Sequence, residues 1–174
     1  MKKLNQNLFS ILIIFFLSLS SSVNSENKFL NAFKYQIIVT DGDTIKMLGE
    51  KIRLFGIDAP EMKQICKNKN NENYACGHLS KNYLKNLIKK INRKTQIYCY
   101  YSERDRYNRI IGECYIGAES RISINRTMVS YGHAVAYTRY SEKYLDAQKS
   151  AISFKFGLWS GTFDLPEEWR RKNK

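Results

Sequence analysis

Acidic residues are scarce in this 174-residue chain, with 16 Asp and Glu against 29 Lys and Arg and a formal net charge of +13. So basic a balance points to a polyanionic partner, either nucleic acid or an anionic membrane surface, and charge alone does not choose between them. No two cysteines stand at C-x-x-C spacing. A structural zinc site therefore lacks its usual ligand pattern, even with His78 and His133 available. The one long apolar run, "LFSILIIFFLSLSSS" (8–22), is too short to span a bilayer comfortably. Internal repeats and low-complexity tracts are also missing.

What is present begins with a leader. A positive start, "MKKLNQN", precedes the apolar run, and the small residues of "VNS" follow it, so residues 1–25 read as a secretory signal and an uncleaved anchor is the alternative. The mature chain is then 26–174, one domain, with a net charge of +11 once Lys2 and Lys3 are removed. It is expected to be periplasmic or secreted, monomeric and without stable membrane association. Four cysteines, Cys66, Cys76, Cys99 and Cys114, are an even number, and in an exported chain they favour disulfides.

The apolar pattern predicts five strands, at 33–40, 44–48, 51–57, 95–101 and 109–116, each short and rich in β-branched or aromatic residues. Three helices are predicted. The first sets Leu79, Tyr83, Leu87, Ile88 and Ile91 on one face. The second is capped by Ser123 and stops at Gly132, and the third opens at Ser141 and places Tyr144, Ala147, Ala151 and Phe154 together. This order suits an α+β fold that is mainly β, a small closed barrel with packed helices. Residues 67–74 and the tail "RRKNK" read as loose segments, with His78 at a helix start, His133 at a helix end, and Trp159 and Trp169 as packing anchors.

Against the scarcity of acids, "DGDTIKMLGEKIRLFGIDAPE" (41–61) gathers Asp41, Asp43, Asp58 and Glu61 around Arg53. Asp41-Gly42 is an ordinary turn signal, but that leaves Asp43 without a role. Arg53 and Asp58 are five apart and face opposite ways in a regular strand, so they converge only if the chain bends, for which Gly56 is the place. Carboxylates held together repel unless a cation joins them, and hard oxygen ligands suit Ca²⁺ or Mg²⁺. A second cluster, "ERDRYNRIIGECY", supplies Arg109, which can form a two-arginine clamp with Arg53 for phosphate oxygens. A cation, a carboxylate base and two guanidinium groups are what phosphodiester hydrolysis requires.

"VTDGDTI", "IRLFGIDAPE", "DRYNR" and "GHAVAY", in this order and spacing, resemble the staphylococcal nuclease (thermonuclease) family, and "GLWSGTFDLPEEWRR" is similar to the tail of its exported bacterial members. The resemblance implies a five-stranded oligonucleotide-binding barrel with three helices that cleaves DNA and RNA with Ca²⁺. It implies Asp43, Asp58 and the carbonyl of Ala59 as metal ligands, Ala59 standing where the family commonly has Thr. It further implies Glu61 for the attacking water, Arg53 and Arg109 for the phosphate, and Tyr107 and Tyr137 near the substrate. "TRYS" departs from the pattern, offering Arg139 and Tyr140 where a second substrate tyrosine would lie. A nucleic-acid-binding barrel without catalysis is the rival reading, and a basic envelope protein a second.

For the cysteines the strand order decides. Cys99 and Cys114 lie in strands joined by one turn, and Cys66 and Cys76 bracket a loop, so Cys66–Cys76 and Cys99–Cys114 are the expected pairs.

Overall fold

The computed structural model describes residues 28–118 and 122–174. The expected signal segment, 1–25, lies outside them. Eleven strands form among the described residues. In chain order they are β1 (Lys28–Phe33), β2 (Ile37–Val39), β3 (Thr44–Met47), β4 (Glu50–Leu54), β5 (Ile57–Asp58), β6 (Ile65–Lys67), β7 (Asn73–Ala75), β8 (Gln96–Arg104), β9 (Ile110–Ile116), β10 (Ile122–Ser123) and β11 (Val135–Ala136). Four α-helices join them: α1 (Cys76–Lys90), α2 (Ile124–Ser130), α3 (Leu145–Ser153) and α4 (Pro166–Lys172).

The main sheet runs β1-β8-β9-β4-β3-β2, with β10 added to β9, and it curls into a half-barrel. Alternation along these strands sends Ile45, Met47, Ile52, Leu54, Ile97, Cys99, Ile110 and Cys114 inward, all buried. Leu84 and Ile88 of α1, Met128 and Val129 of α2, and Tyr144, Ala147 and Ala151 beside or in α3 close the same core. Only the β4–β9 pair is parallel within the sheet, with Arg53 opposite Ile111. Ile111 and Arg109 are two residues apart and share a face with Arg53, so this register aims both arginines to one side.

The mixed, mainly β class is as expected, and the details differ in instructive ways. The predicted strand 33–40 is split by a 3-10 turn at Lys34–Gln36, and Lys28–Phe33, unanticipated, pairs along β8 as an edge strand. The sheet therefore has seven strands where five were expected. On α1 the buried line is Cys76, Gly77, Ser80, Leu84 and Ile88, so Leu79 faces solvent. Ser123 caps α2 by accepting the Arg126 N–H at 3.1 Å. Phe154 falls just past α3 and is exposed, which the helical spacing alone did not show.

Both segments read as loose are ordered. Residues 65–75 form the β6–β7 hairpin, whose turn is held by Asn68 accepting N–H groups of Asn70 and Glu72, and the Cys66–Cys76 disulfide closes it at the base of α1. Cys99–Cys114 joins directly opposite residues of β8 and β9 in the core. The two expected pairings are thus the ones present, with no free cysteine among the described residues. The tail forms α4 because Pro166 opens it, Glu167 and Glu168 occupy its first turn and Arg170, Arg171 and Lys172 its last, each sign matching the helix dipole. No helix among the described residues is long and apolar enough to cross a membrane.

Candidate active site

The acidic stretch is assembled by one hairpin and one bend. β3 and β4 pair antiparallel with Thr44 opposite Arg53, and the Leu54 N–H donates to the Asp43 carbonyl at 2.8 Å, which places Asp43 beside the end of β4. At Gly56 the backbone turns with φ of +72°, a conformation open to glycine, and the chain re-enters as β5 paired to β11. The bend brings Asp58 to the side on which Arg53 points. Arg53 then bridges the two acids, Nη1 donating to Asp43 Oδ1 at 2.7 Å and Nη2 to Asp58 Oδ1 at 2.8 Å. The Ala59 N–H donates to Asp43 Oδ2 at 3.0 Å, tying the loop after β5 to the loop before β3.

These carboxylates are deep. Asp43 is 4 % and Asp58 1 % exposed. Burial pushes the Asp58 carboxyl up, with a contribution from Asp43, against the lowering by Arg170 and Arg53. Burial and the neighbouring Asp43 likewise raise Asp41 to about 6. Desolvated acids that resist ionising together are the electrostatic condition for a cation site. Among the described residues no three His, Cys, Asp or Glu side chains group closely enough to hold a metal by themselves. The donors that fit a hard cation are two carboxylates, Asp43 and Asp58, with the adjoining Ala59 carbonyl, all oxygen, so water and substrate would have to supply the remaining ligands.

Helix α1 fixes where these loops sit. A Cβ on Gly77 would lie 1.9 Å from the Glu61 carbonyl oxygen, and one on Gly42 would lie 2.1 Å from Ser80 Oγ. The first turns of α1 are therefore the wall against which both acidic loops are pressed. Nothing in the local pattern marked either glycine, since the contact is between segments distant in sequence.

Above the acids opens a cleft of about 1150 Å³. Arg53, Glu61, Tyr107, Arg109, Tyr137, Arg139 and Tyr140 all line it, whereas Asp43 and Asp58 lie beneath the guanidinium groups. Arg109 is held by Asp105, with Nε donating at 2.8 Å, on a tight turn in which Asp105 Oδ1 also accepts the N–H groups of Tyr107 and Arg109. Burial works against this carboxylate, yet the backbone and guanidinium N–H groups of Arg109 keep it below the usual range. The exposed Tyr107 ring carries Arg106 at 4.8 Å and Arg109 at 5.6 Å from its centroid. Tyr137 and Tyr140 meet edge to face at 4.9 Å, and Arg139 pairs with Glu167 of α4.

Arg170 was not anticipated at all. It enters from α4 and donates Nη1 to Asp58 Oδ1 at 3.0 Å and to Glu61 Oε1 at 2.8 Å, and Nη2 to Asp58 Oδ2 at 2.9 Å. The "LPEEWRR" pattern, with its proline and ordered charges, could have announced the helix. It carries no signal for a contact 112 residues away.

Residues 51–161, well over half the chain, match the family described as "Staphylococcal nuclease homologue". The "Uncharacterized endonuclease" of Haemophilus influenzae is 34% identical over 144 residues, covering 78% of this chain and 71% of that protein. Its namesake in Escherichia coli is 36% identical over 141 residues, covering 77% and 82%. The "Succinoglycan biosynthesis protein ExoI" of Rhizobium meliloti is 36% identical over 125 residues, covering 71% of this chain, which spans only 63% of that protein's length. With an acid-and-arginine cleft on a curled sheet and matches of this extent, the chain belongs to the staphylococcal nuclease family.

Proposed function

We propose that the protein is an exported endonuclease that hydrolyses phosphodiester bonds of DNA and/or RNA by calcium-assisted attack of water. The hydrolase class follows from family membership. The observation that carries the rest is the bend at Gly56, which joins Arg53, Asp43 and Asp58 in one hydrogen-bonded unit below a cleft that also contains Glu61 and Arg109.

Asp43, Asp58 and the Ala59 carbonyl are the groups that would hold Ca²⁺. When bound, the ion supplies Lewis-acid polarisation of a phosphoryl oxygen and stabilises the negative charge that gathers on the phosphoryl oxygens. Glu61, which lines the cleft, would orient water and accept its proton. Arg53 and Arg109 present forked N–H donors to phosphate oxygens, matching a geometry that an ammonium group cannot. Tyr107, Tyr137 and Tyr140 offer ring faces to sugar or base at the cleft walls, and stacking of this kind is tolerant of sequence. Two disulfides support residence in an oxidising compartment, periplasmic or extracellular, consistent with 1–25 acting as a signal.

The test is to incubate the purified protein with plasmid DNA and with RNA in Ca²⁺, Mg²⁺ or chelator. Cleavage that depends on Ca²⁺ and disappears in chelator is expected. Full activity in chelator would end the metal-assisted reading, and binding without cleavage would leave only a nucleic-acid-binding protein.

A further inference from the structure

The carboxylates that would seat a metal are already engaged by a cation of the chain's own. Asp58 accepts three hydrogen bonds from two arginines, Oδ1 from Arg53 and Arg170 and Oδ2 from Arg170, and Glu61 Oε1 accepts a further one from Arg170. A carboxylate offers about four acceptor positions, so Asp58 is nearly saturated. A divalent ion arriving at Asp58 would also meet a fixed positive charge at contact distance. One of the two arginines must yield.

The structure distinguishes them. Arg53 sits within a sheet strand, is held by Asp43 as well as Asp58, and its side chain is 18 % exposed. The Arg170 side chain is 33 % exposed and is carried by a helix of seven residues that buries only Pro166. Apart from the Arg170 contacts, α4 is tied down by two exposed ion pairs, Arg139 to Glu167 and Lys172 to Asp164, while the buried Gln64 amide anchors the Asp164 carbonyl just ahead of the helix and leaves the helix itself free to turn about that point. Such an element can lift at small cost.

We propose that Arg170 is the site's resident counter-cation, which holds Asp58 and Glu61 in the metal-free protein and must release them when a divalent cation binds, so that metal entry and detachment of α4 are coupled. The inference rests on the reading that Asp43 and Asp58 seat the metal. Arg170 then acts through Asp58 and Glu61 and sets the metal affinity of the site. By linkage, whatever factor Arg170 takes from metal affinity, the metal takes from the hold of α4 on the cleft.

Calcium titration by calorimetry, without nucleic acid, tests the first half in wild type, Arg170→Met and Arg170→Lys. Removing a charged hydrogen-bonding competitor should tighten Ca²⁺ binding by about tenfold in Arg170→Met, with Arg170→Lys between it and wild type. Amide hydrogen exchange on the wild-type protein tests the second half without any variant, and exchange in 166–172 should quicken when Ca²⁺ is added. If Arg170→Met binds Ca²⁺ no more tightly than wild type, or if Ca²⁺ leaves exchange in α4 unchanged while Asp43→Asn abolishes calcium binding, the counter-cation role is wrong and the metal seat stands. Failure of all these proteins to bind Ca²⁺ would overturn both.

Discussion

Replacing Gly77 by alanine should damage catalysis from outside the cleft. The residue lies in the first turn of α1, where alanine is ordinarily the better helix former by about 1 kcal/mol. Here the added Cβ would stand 1.9 Å from the Glu61 carbonyl oxygen, 2.5 Å from its carbon and 2.9 Å from Met62 Cα, all backbone atoms with no rotamer to change. The segment cannot simply swing away. The Gln64 N–H donates to the same Glu61 oxygen at 2.8 Å, and Cys76, next to Gly77, is bonded to Cys66. Relieving the overlap requires roughly 1 Å of displacement, and overpacking of this kind costs about 1–3 kcal/mol, more than the helix gain returns. Urea denaturation should therefore show a net loss, although a variant that remains folded is expected. Because the displaced segment carries Glu61, turnover should fall by roughly 10²-fold, the scale associated with ångström misplacement of a reacting group. Gly49→Ala is the control: with φ of +91° and no atom within 4 Å of its Cβ, it should lose stability through backbone strain and keep its turnover. A Gly77→Ala protein with wild-type stability and rate would refute the claim that α1 positions Glu61.

Two further outcomes are expected. Glu61→Gln keeps the shape and an acceptor oxygen, so if Glu61 is the proposed base kcat should drop by roughly 10² or more while substrate affinity changes little, measured by steady-state kinetics alongside gel shift. His133, stacked on Tyr83 with centroids 3.8 Å apart, is lowered by burial from 6.5 to about 4, so the fold binds its neutral form. Its contribution is fully present above pH 6.5 and is lost as pH falls towards 4, so denaturation curves of wild type and His133→Asn should converge by up to about 3 kcal/mol over that window. Parallel curves would place the ring in solvent.

What the sequence disclosed depended on how locally each feature is determined. Short β-branched and aromatic runs located β3, β4 and β9, and Gly56 between Arg53 and Asp58 indicated the bend that ends β4 at Leu54 within the expected strand 51–57, because a hairpin and its turn are decided by neighbours in the chain. The two disulfides were legible for the same reason, each spanning adjacent strands or a single loop. Lys28–Phe33 was missed because an edge strand half exposed to solvent need not alternate, and its pairing with β8 is made some seventy residues away. Leu79 was misplaced because 3.6-residue spacing fits more than one face of α1, and Gly77 and Ser80, small enough to let the acidic loops approach, determine which face turns inward.

On the proposed reading, the charges explain how a basic protein can carry Asp43, Asp58 and Glu61 at the cleft a polyanion would enter. Arg109 and Arg139 on the cleft wall are already engaged, by Asp105 and Glu167, as are Arg53 and Arg170 on the floor. Arg106, Arg171 and Lys174 also line the cleft and form no ion pair with the described residues. An approaching phosphate backbone therefore meets unpaired cations first, at the rim, where solvent and counterions screen them and attraction is non-specific. The partly buried Arg53, Arg109 and Arg170 each have an acid to give up, so on the proposed reading deep binding would be an exchange of partners whose net gain is the difference between phosphate and carboxylate. Such exchange costs little for a forked donor that fits both anions, and the carboxylate partners keep these three guanidinium groups oriented, where unpaired side chains would otherwise lose that order.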